Sequence, residues 1–572
     1  MSQHPTPPPF SMPMFRECVP EKLRPWIYIV QAFCFQLGGC VYLGALNEMI
    51  GGRAIMREDV MMCLYSNLAG MAIYFPILFR MKFRFSNRFL LITSALVLAV
   101  CNWLFTQTTF LPLMWLLCFI AGMAKIQGTF ENMSNIQLWM TPTRDMGVFF
   151  PCLHIILLTS IEVQAWYSAF FGHNYHWYAS HWFVIGLMML VVTIQLFLTR
   201  PWCPMPQRIP LKNIDWLGAA FWSLLGLQIA YIFNYGDWLD WWHSPTIRTL
   251  TGTSLITLGG CLHRMWTKQQ PYFEPRMWTY RNLIPILFLI AVVEGLLASE
   301  HVLEEVFYEE VMNYEMLTSC SLTLWTLPGI WIGCLLSWLW LKKWQFNVYK
   351  LIAIGLLGIT LYAAGFYFLV ADHINIEVLR LPLVFRGFGY ATLSIAFMWS
   401  LHEIMTFEHF FQSLSIFNFM HMYIGGVIGC ALYSWGLRYY MADNILRYTA
   451  YLDMPAFTSA PFDIGEWMES FIPSMMAVTI KQLYGWVLYI AGFLTIAFLL
   501  WDIPTIRRGI RRFHTWPVMG ARLLKRSIRR NKNIQGLATP NSSLVEYKQN
   551  HNSNKDNRNA DRKESQSYSG FA

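Results

Sequence analysis

The sequence predicts an all-α polytopic membrane protein, and its composition and its long apolar runs both lead to this fold class. Of 572 residues, 55% are hydrophobic and only 13% are charged, whereas soluble domains carry about 25% charged residues. A bilayer core about 30 Å thick needs about 20 apolar residues in each helical span, and such runs recur along almost the whole chain. The alternating ten-residue pattern of a membrane barrel is absent.

The apolar runs predict about fourteen transmembrane helices. We place them at 26–48, 60–80, 89–107, 112–138, 147–170, 180–199, 215–234, 245–265, 282–299, 317–341, 350–371, 379–400, 413–436 and 479–501. The proline-rich N-terminus does not have the pattern of a cleavable signal peptide, and the first apolar run is long enough to span.

Positive charges gather in alternate loops, which predicts the orientation of the chain. The basic loops hold Arg80, Lys82, Arg84, Arg88, Arg144, Arg200, Arg208, Lys212, Arg264, Lys268, Arg276, Arg281, Lys342, Lys343 and Lys350. The opposite loops carry Asp237, Asp240 and the acidic run 300–315, which we expect to be a solvated outer loop. Because Lys/Arg-rich loops stay in the cytoplasm, both termini should lie inside, at the inner (plasma) membrane.

The C-terminal region changes character after the last apolar run. Residues 503–532 contain ten Arg and Lys residues, which predicts a basic amphipathic segment on an anionic leaflet. This position explains the net charge of +9 without a nucleic-acid partner. Residues 533–572 are rich in Asn, Ser and Lys and are predicted to be disordered. The cysteines form no CxxC pairs, so we expect no zinc site, disulfide framework or cofactor.

Several short motifs are similar to those of one transporter family. They are Asp215, Gly218, Gly236, Asp237, Trp241 and Ser244 around spans seven and eight, EPRMWTYRNL at 274–283, LPG at 327–329 with Lys342 and Lys343 after it, Arg386, Gly387 and Gly389, and GGVIG at 425–429. With fourteen spans and both ends inside, the chain resembles the fourteen-helix drug:proton antiporter branch of the major facilitator superfamily (the EmrB/QacA-like transporters) over about residues 25–502.

The resemblance implies two six-helix bundles with a substrate site between them near the membrane midplane, opened alternately to each side. It divides the chain into a cytoplasmic segment 1–24, a first bundle 25–199, a linker with inserted helices seven and eight at 200–266, a second bundle 267–502, the juxtamembrane segment 503–532 and the tail 533–572. It also implies proton-coupled multidrug efflux of amphipathic or cationic small molecules. In two-membrane bacteria such proteins work with a periplasmic adaptor and an outer-membrane channel.

One glutamate interrupts the apolar stretch LFLIAVVEGLLAS at 287–299. Glu294 lies about 12 residues into span nine, roughly 18 Å at 1.5 Å per residue, which places it near or just past the midplane. An unpaired carboxylate there costs at least a few kcal/mol. Glu294 must therefore be protonated, paired or exposed to water.

Other ionisable residues also fall inside predicted spans. They are Lys125 and Glu131 in span four, His154 and Glu162 in span five, Arg386 in span twelve and His421 in span thirteen. These groups either form structural pairs that hold helices together, or at least one acid binds and releases a coupled proton. Depth favours Glu162 and Glu294 for that role, and Arg386 is the cation predicted to reach Glu294. His154 and His421 either relay protons or are hydrogen-bonded packing residues.

Two other functions are compatible with the sequence. The chain could transport a different substrate, such as a metabolite or a lipid-like molecule, or it could be a membrane-embedded transferase. A transferase is disfavoured because the sequence has no DxD motif in a large soluble loop and no nucleotide-binding glycine loop. We therefore expect a transporter driven by an ion gradient and not an enzyme.

Overall fold

The computed structural model describes residues 15–39, 41–141, 145–200, 211, 214–280, 282–371, 374–449 and 464–501. Within these ranges the chain is helical and forms no β-strand, apart from an isolated bridge between Phe15 and Thr199. The predicted juxtamembrane segment 503–532 and tail 533–572 lie outside the described residues. The predicted all-α membrane fold class is confirmed.

The described helices follow one another along the chain. They are α1 (Arg24–Leu37), α2 (Leu46–Arg53), α3 (Arg57–Lys82), α4 (Asn87–Gln107), α5 (Leu111–Met140), α6 (Met146–Asn174), α7 (Ala179–Leu198), α8 (Trp216–Tyr235), α9 (Pro245–Thr267), α10 (Leu283–Leu297), α11 (Met316–Thr323), α12 (Thr326–Trp338), α13 (Val348–Leu369), α14 (Arg380–Ile404), α15 (Phe407–Met420), α16 (Cys430–Thr449) and α17 (Ile464–Trp501). Wide π-helical turns occupy Glu300–Glu304, Phe307–Val311, Leu339–Trp344 and His421–Gly429.

Several helices begin at residues that satisfy their first backbone N–H groups. Ser86, Asp145 and Asn347 each accept a hydrogen bond from a backbone N–H in the first turn of α4, α6 and α13, as N-capping residues do. Asp215 caps α8 in the same way and also pairs with Arg264 of α9. Burial raises the pKa of Asp215, but the hydrogen bonds from Arg264 and the Gly218 N–H and the charge of Arg264 together hold it below its usual value.

Twelve helical segments of the described chain are long and apolar enough to cross a membrane. Two of the fourteen predicted spans are not among them. The first is divided between α1 and α2, and α9 is rich in threonine and glycine, which lowers its hydropathy. The number fourteen therefore stays a prediction, although a helix occupies part of each predicted position.

The prediction that the acidic run 300–315 is a solvated outer loop is wrong. The ninth predicted span does not end at 299 but continues through π-helical turns as one segment, Leu283–Val311. Glu304 is only 2% exposed in this extension, beside buried Leu303 and Phe307. The run is helical because its apolar residues recur every four positions, and they pack into the protein core.

The first predicted span breaks after Leu37. Tyr167 of α6 donates a hydrogen bond to the carbonyl oxygen of Leu37 at 2.6 Å, and Ser168 donates one to the carbonyl oxygen of Val41. These two hydroxyls donate to carbonyl oxygens that have no helical partner at the break. Backbone polar groups within a membrane need such partners, because lipid offers none. A Cβ at Gly39 would lie 2.6 Å from Cδ of Lys125, so a glycine at this position makes room for the lysine side chain.

We refer to α1–α7 as the first half and α10–α17 as the second half. Within the first half α3 and α4 pack on α5, and within the second half α12 and α13 pack on α14. The halves meet where α3 contacts α15 and where α6 contacts α11, α12 and α14. Helix α8 packs on α3, and Tyr235 of α8 donates a hydrogen bond to Asp59 at 2.5 Å.

The first prediction concerns orientation. Glu315 is 73% exposed and Arg84 is also exposed, on loops that the charge pattern assigns to opposite sides. In intact cells, a membrane-impermeant maleimide should label Glu315→Cys and should not label Arg84→Cys, with labelling of the unmodified chain as the baseline. Outside labelling of Arg84→Cys would reverse the predicted topology.

The second prediction concerns the contact between α3 and α5. A Cβ at Gly122 would overlap the backbone carbonyl of Asn67, so Gly122→Ala should force the two helices apart. We expect a loss of roughly 1–3 kcal/mol of stability, as in other overpacked cores. Gly186→Ala is the matched control, because nothing lies within 4 Å of a Cβ there. Thermal unfolding of the purified variants should show a lower Tm for Gly122→Ala alone, and equal Tm values would contradict this packing argument.

Candidate functional site

A cavity of about 1310 Å³ lies between the first and second halves. Its walls come from α3, α5 and α6 on one side and from α10, α14, α15 and the π-helical segment His421–Gly429 on the other. Both faces contribute charged residues and aromatic rings. The cavity is therefore a shared surface whose shape depends on how the two halves are placed.

Arg386 lies at the centre of a buried charge cluster in the cavity wall. Its guanidinium donates to Glu304 at 2.7 Å and lies 3.3 Å from a carboxylate oxygen of Glu300 and 3.9 Å from one of Glu162. The Arg386 side chain is only 7% exposed. Glu162 belongs to α6 of the first half, whereas Arg386, Glu300 and Glu304 belong to the second. The ion pair between Glu162 and Arg386 therefore joins the two halves across the cavity.

Buried tyrosines hold Glu304 in place. Tyr362 donates a hydrogen bond to its second carboxylate oxygen at 2.5 Å, and the hydroxyls of Tyr362 and Tyr484 lie 3.1 Å apart. Glu300, Glu304 and these tyrosines are not among the site residues that the sequence predicts. The signal that could have found the acids is their spacing of four residues, which places both on one helical face.

Glu294 and His421 form a second polar pair in the cavity wall. His421 Nδ1 lies 2.8 Å from a carboxylate oxygen of Glu294, and the two side chains are 36% and 6% exposed, respectively. Gly425 passes close by, since a Cβ there would lie 3.1 Å from the same carboxylate oxygen.

The prediction that Arg386 reaches Glu294 is wrong. Arg386 pairs instead with Glu300 and Glu304, which follow Glu294 in the helical segment Leu283–Val311. Glu300 follows Glu294 by six residues, which is about 9 Å along a helix.

The other predicted residues are spread over the first half. Lys125 and His154 line the cavity; Lys125 lies against Gly39, and His154 Nδ1 donates to the carbonyl oxygen of Phe150 at 2.8 Å. Glu131 does not line the cavity. Its carboxylate accepts a hydrogen bond from Asn87 at 2.7 Å and lies 3.7 Å from Lys82 Nζ. Five of the six predicted site residues thus border the cavity, and two of them, Glu162 and Arg386, form an ion pair with each other.

Further ion pairs connect the two halves. At the end predicted to be outside, Arg57 pairs with Glu305, and His173 lies 3.7 Å from Glu315. At the end predicted to be cytoplasmic, Asp145 pairs with Lys342. Exposed pairs of this kind contribute about 0–1 kcal/mol each. They can therefore separate at little cost when the halves move.

Comparison with known proteins gives matches only among solved structures. No protein-family model matches the chain, and a search of curated proteins finds no match. A point variant of the nucleoside transporter NupG aligns over 83% of this chain and 99% of its own at 12% identity, with a TM-score of 0.51. Tetrameric PepTSo2 aligns over 85% of this chain and 99% of its own at 10% identity, also with a TM-score of 0.51. A variant of the peptide transporter POT bound to alafosfalin aligns over 83% and 95% at 13% identity and 0.50.

Similarity at such low identity establishes the fold. The chain has the fold of the major facilitator transporters, as the sequence motifs implied. The structural matches do not distinguish the drug:proton antiporter branch from other branches.

The third prediction concerns the charge cluster. Arg386→Met would leave three carboxylates without their shared cation, and breaking a buried pair typically costs about 3–5 kcal/mol. We expect a large loss of stability at pH 8 and a smaller loss at pH 5, because protonated carboxyls no longer need the cation. Thermal unfolding across this pH range measures the effect.

The matched control for this variant is Arg380→Met, since Arg380 lies six residues earlier on α14 and is 39% exposed. Adding Glu304→Gln to Arg386→Met should recover part of the lost stability. A loss that does not change with pH would show that Arg386 stabilises the fold by packing and not by its charge.

Proposed function

We propose that the chain is a secondary active transporter that exports amphipathic or cationic small molecules in exchange for protons by alternating access. The observation that carries this proposal is a cavity shared by two halves in which carboxylates outnumber permanent cations. The lining acids are Glu162, Glu274, Glu294, Glu300, Glu304, Glu305 and Glu309, and the lining Lys and Arg residues are Arg57, Arg80, Lys82, Lys125 and Arg386. Such a surface attracts cations.

The Arg386 cluster supports proton coupling. One guanidinium faces three carboxylates, so the cluster would carry a formal charge of −2 if all were ionised. Two uncompensated charges are costly in a buried site, and neighbouring carboxylates then share protons. Because Glu162 comes from the opposite half, gaining or losing a proton at Glu162 changes the attraction between the halves. Proton binding is thereby linked to the motion that opens the cavity.

Aromatic rings on the cavity wall support an amphipathic substrate. Phe79 and Phe130 of the first half meet Phe411 of the second, with ring centroids 4.6 Å and 5.7 Å from that of Phe411. All three rings line the cavity. An apolar body could pack on these rings while its cationic group faces the acids.

A transporter of a different substrate is the main alternative. Two of the similar solved structures are named as a nucleoside transporter and a peptide transporter. These names support a metabolite as the substrate about as well as the cavity supports an amphipathic cation. A membrane-embedded transferase is the weaker alternative, because the Arg386 cluster and the Glu294–His421 pair both line the cavity between the two halves. An assembly with a periplasmic adaptor and an outer-membrane channel remains a prediction from the family resemblance.

The fourth prediction tests the coupling. In liposomes that contain the purified protein, aromatic cations added outside should enter in exchange for protons that leave. A pH dye trapped inside the liposomes measures the loss of protons. Glu294→Gln and Glu162→Gln keep side-chain shape but remove a carboxylate, so both should insert normally and lose proton-driven transport.

Glu310→Gln is the matched control for both variants, since Glu310 lies on the same helical extension as Glu300 but is exposed and outside the cavity. Transport by Glu294→Gln at the wild-type rate and normal expression would remove Glu294 from the coupling and leave Glu162. Nucleosides or dipeptides driving the pH change, with cations inactive, would replace the proposed substrate class with the alternative.

A further inference from the structure

Glu294 differs from the other carboxylates of the cavity wall that lie deep in the protein, because its partner is a histidine. Among the described residues, no Lys or Arg lies within 4.0 Å of its carboxylate, and His421 at 2.8 Å is its ion-pair partner. A carboxylate that is 6% exposed cannot stay ionised without a compensating positive charge. The pair therefore holds one proton and is electrically neutral, whichever of the two side chains carries that proton.

The charged and titratable groups around the pair do not replace this proton. They are Glu300 on the extension of α10, Arg386 and Tyr390 on α14, Tyr65 on α3, Cys430 on α16, and Glu162 across the cavity on α6. Arg57 on α3, whose charge acts on Tyr65 and Cys430, is paired with Glu305. Arg386 is already shared by three other carboxylates, so His421 is left to compensate the charge of Glu294.

The local backbone keeps the pair open to the cavity. His421 begins the π-helical segment His421–Gly429, and its side chain is 36% exposed on the cavity wall. Gly425 and Gly426 follow on the same wall, and a side chain at Gly425 would fill the space beside the Glu294 carboxylate. Tyr390 stacks on the imidazole with ring centroids 6.5 Å apart. Aromatic faces beside a carboxylate are a surface on which organic cations bind well.

We propose that Glu294 and His421 form the exchange site at which an organic cation replaces a proton. The cation pairs with the ionised Glu294 carboxylate, and the proton that the pair shared leaves through the exposed imidazole of His421. One positive charge enters and one leaves, so the site stays neutral and no other group needs to change its charge. The proposal rests on the proposed function, and it separates two tasks. Glu294 and His421 exchange cation for proton, while the Glu162–Arg386 contact links protonation to the position of the halves.

The fifth prediction follows from one-for-one exchange. In binding experiments on the purified full-length chain with tetraphenylphosphonium as the probe, calorimetry gives the affinity and a weakly buffered solution gives the protons released. Each bound cation should release about one proton at a pH where the pair is protonated. The affinity should fall about tenfold for each pH unit of acidification in that range, since each tenfold rise in proton concentration costs about 1.4 kcal/mol of binding.

Four variants separate the roles of the two residues. Glu294→Gln should lose both binding and proton release. His421→Arg supplies a permanent cation to Glu294 and should block binding at every pH. His421→Gln keeps the carboxylate, so it should still bind the probe but with a shifted pH dependence. Glu310→Gln should behave as wild type, and thermal unfolding of each variant confirms that it is folded.

The outcomes distinguish this proposal from the proposed function. If Glu294→Gln is folded and binds the probe with wild-type affinity and proton release, cations bind elsewhere in the cavity, and this inference fails while cation export stands. If the pH dependence is the same in His421→Gln as in wild type, His421 has no part in the exchange. If the wild-type protein binds neither tetraphenylphosphonium nor ethidium, the cationic substrate class is wrong, and this inference falls with it.

Discussion

The burial of the Arg386 guanidinium is the constraint on which much of this structure depends. A cation buried within a membrane-spanning helix is tolerated only when partners surround it. Two carboxylates on the extension of α10 supply most of this compensation, which requires the helix to continue past residue 299. Tyr362 and Tyr484 orient one of those carboxylates, and Glu162 completes the cluster from the other half. The site and the joint between the halves are therefore built from the same charges.

Irregular helices make the polar cavity possible. The break after Leu37 gives Lys125 room beside Gly39, and hydroxyls of α6 pair carbonyl oxygens of the break. The π-helical segment His421–Gly429 offers the carbonyl of Gly426 to the Tyr65 hydroxyl of the first half at 2.8 Å. Wide turns of this kind recur at functional sites because they expose backbone groups and redirect side chains. In this protein they lie where the two halves face each other.

The fold and the site carry different information about function. A nucleoside transporter and a peptide transporter share this arrangement of helices at 12–13% identity, so the arrangement alone does not select a substrate. What is particular to this chain is the charge distribution in the cavity, with two separate acidic centres and aromatic rings from both halves. The proposed exchange of organic cations for protons is drawn from those side chains and not from the fold.

The sequence by itself determined that the chain is a helical membrane protein, because long apolar runs and the scarcity of charge are local properties that each segment carries alone. It also singled out Glu162, Glu294 and Arg386 as ionisable residues inside apolar runs, since a charge in an apolar run is visible without any partner. Only the tertiary structure decided the pairing. Glu294 meets His421, and Arg386 meets Glu300, Glu304 and Glu162, because residues 127 and 224 positions apart are brought together by helix packing. Hydropathy could not identify Glu304 as buried, since its low exposure depends on neighbours from α13 and α14 that are distant in the chain.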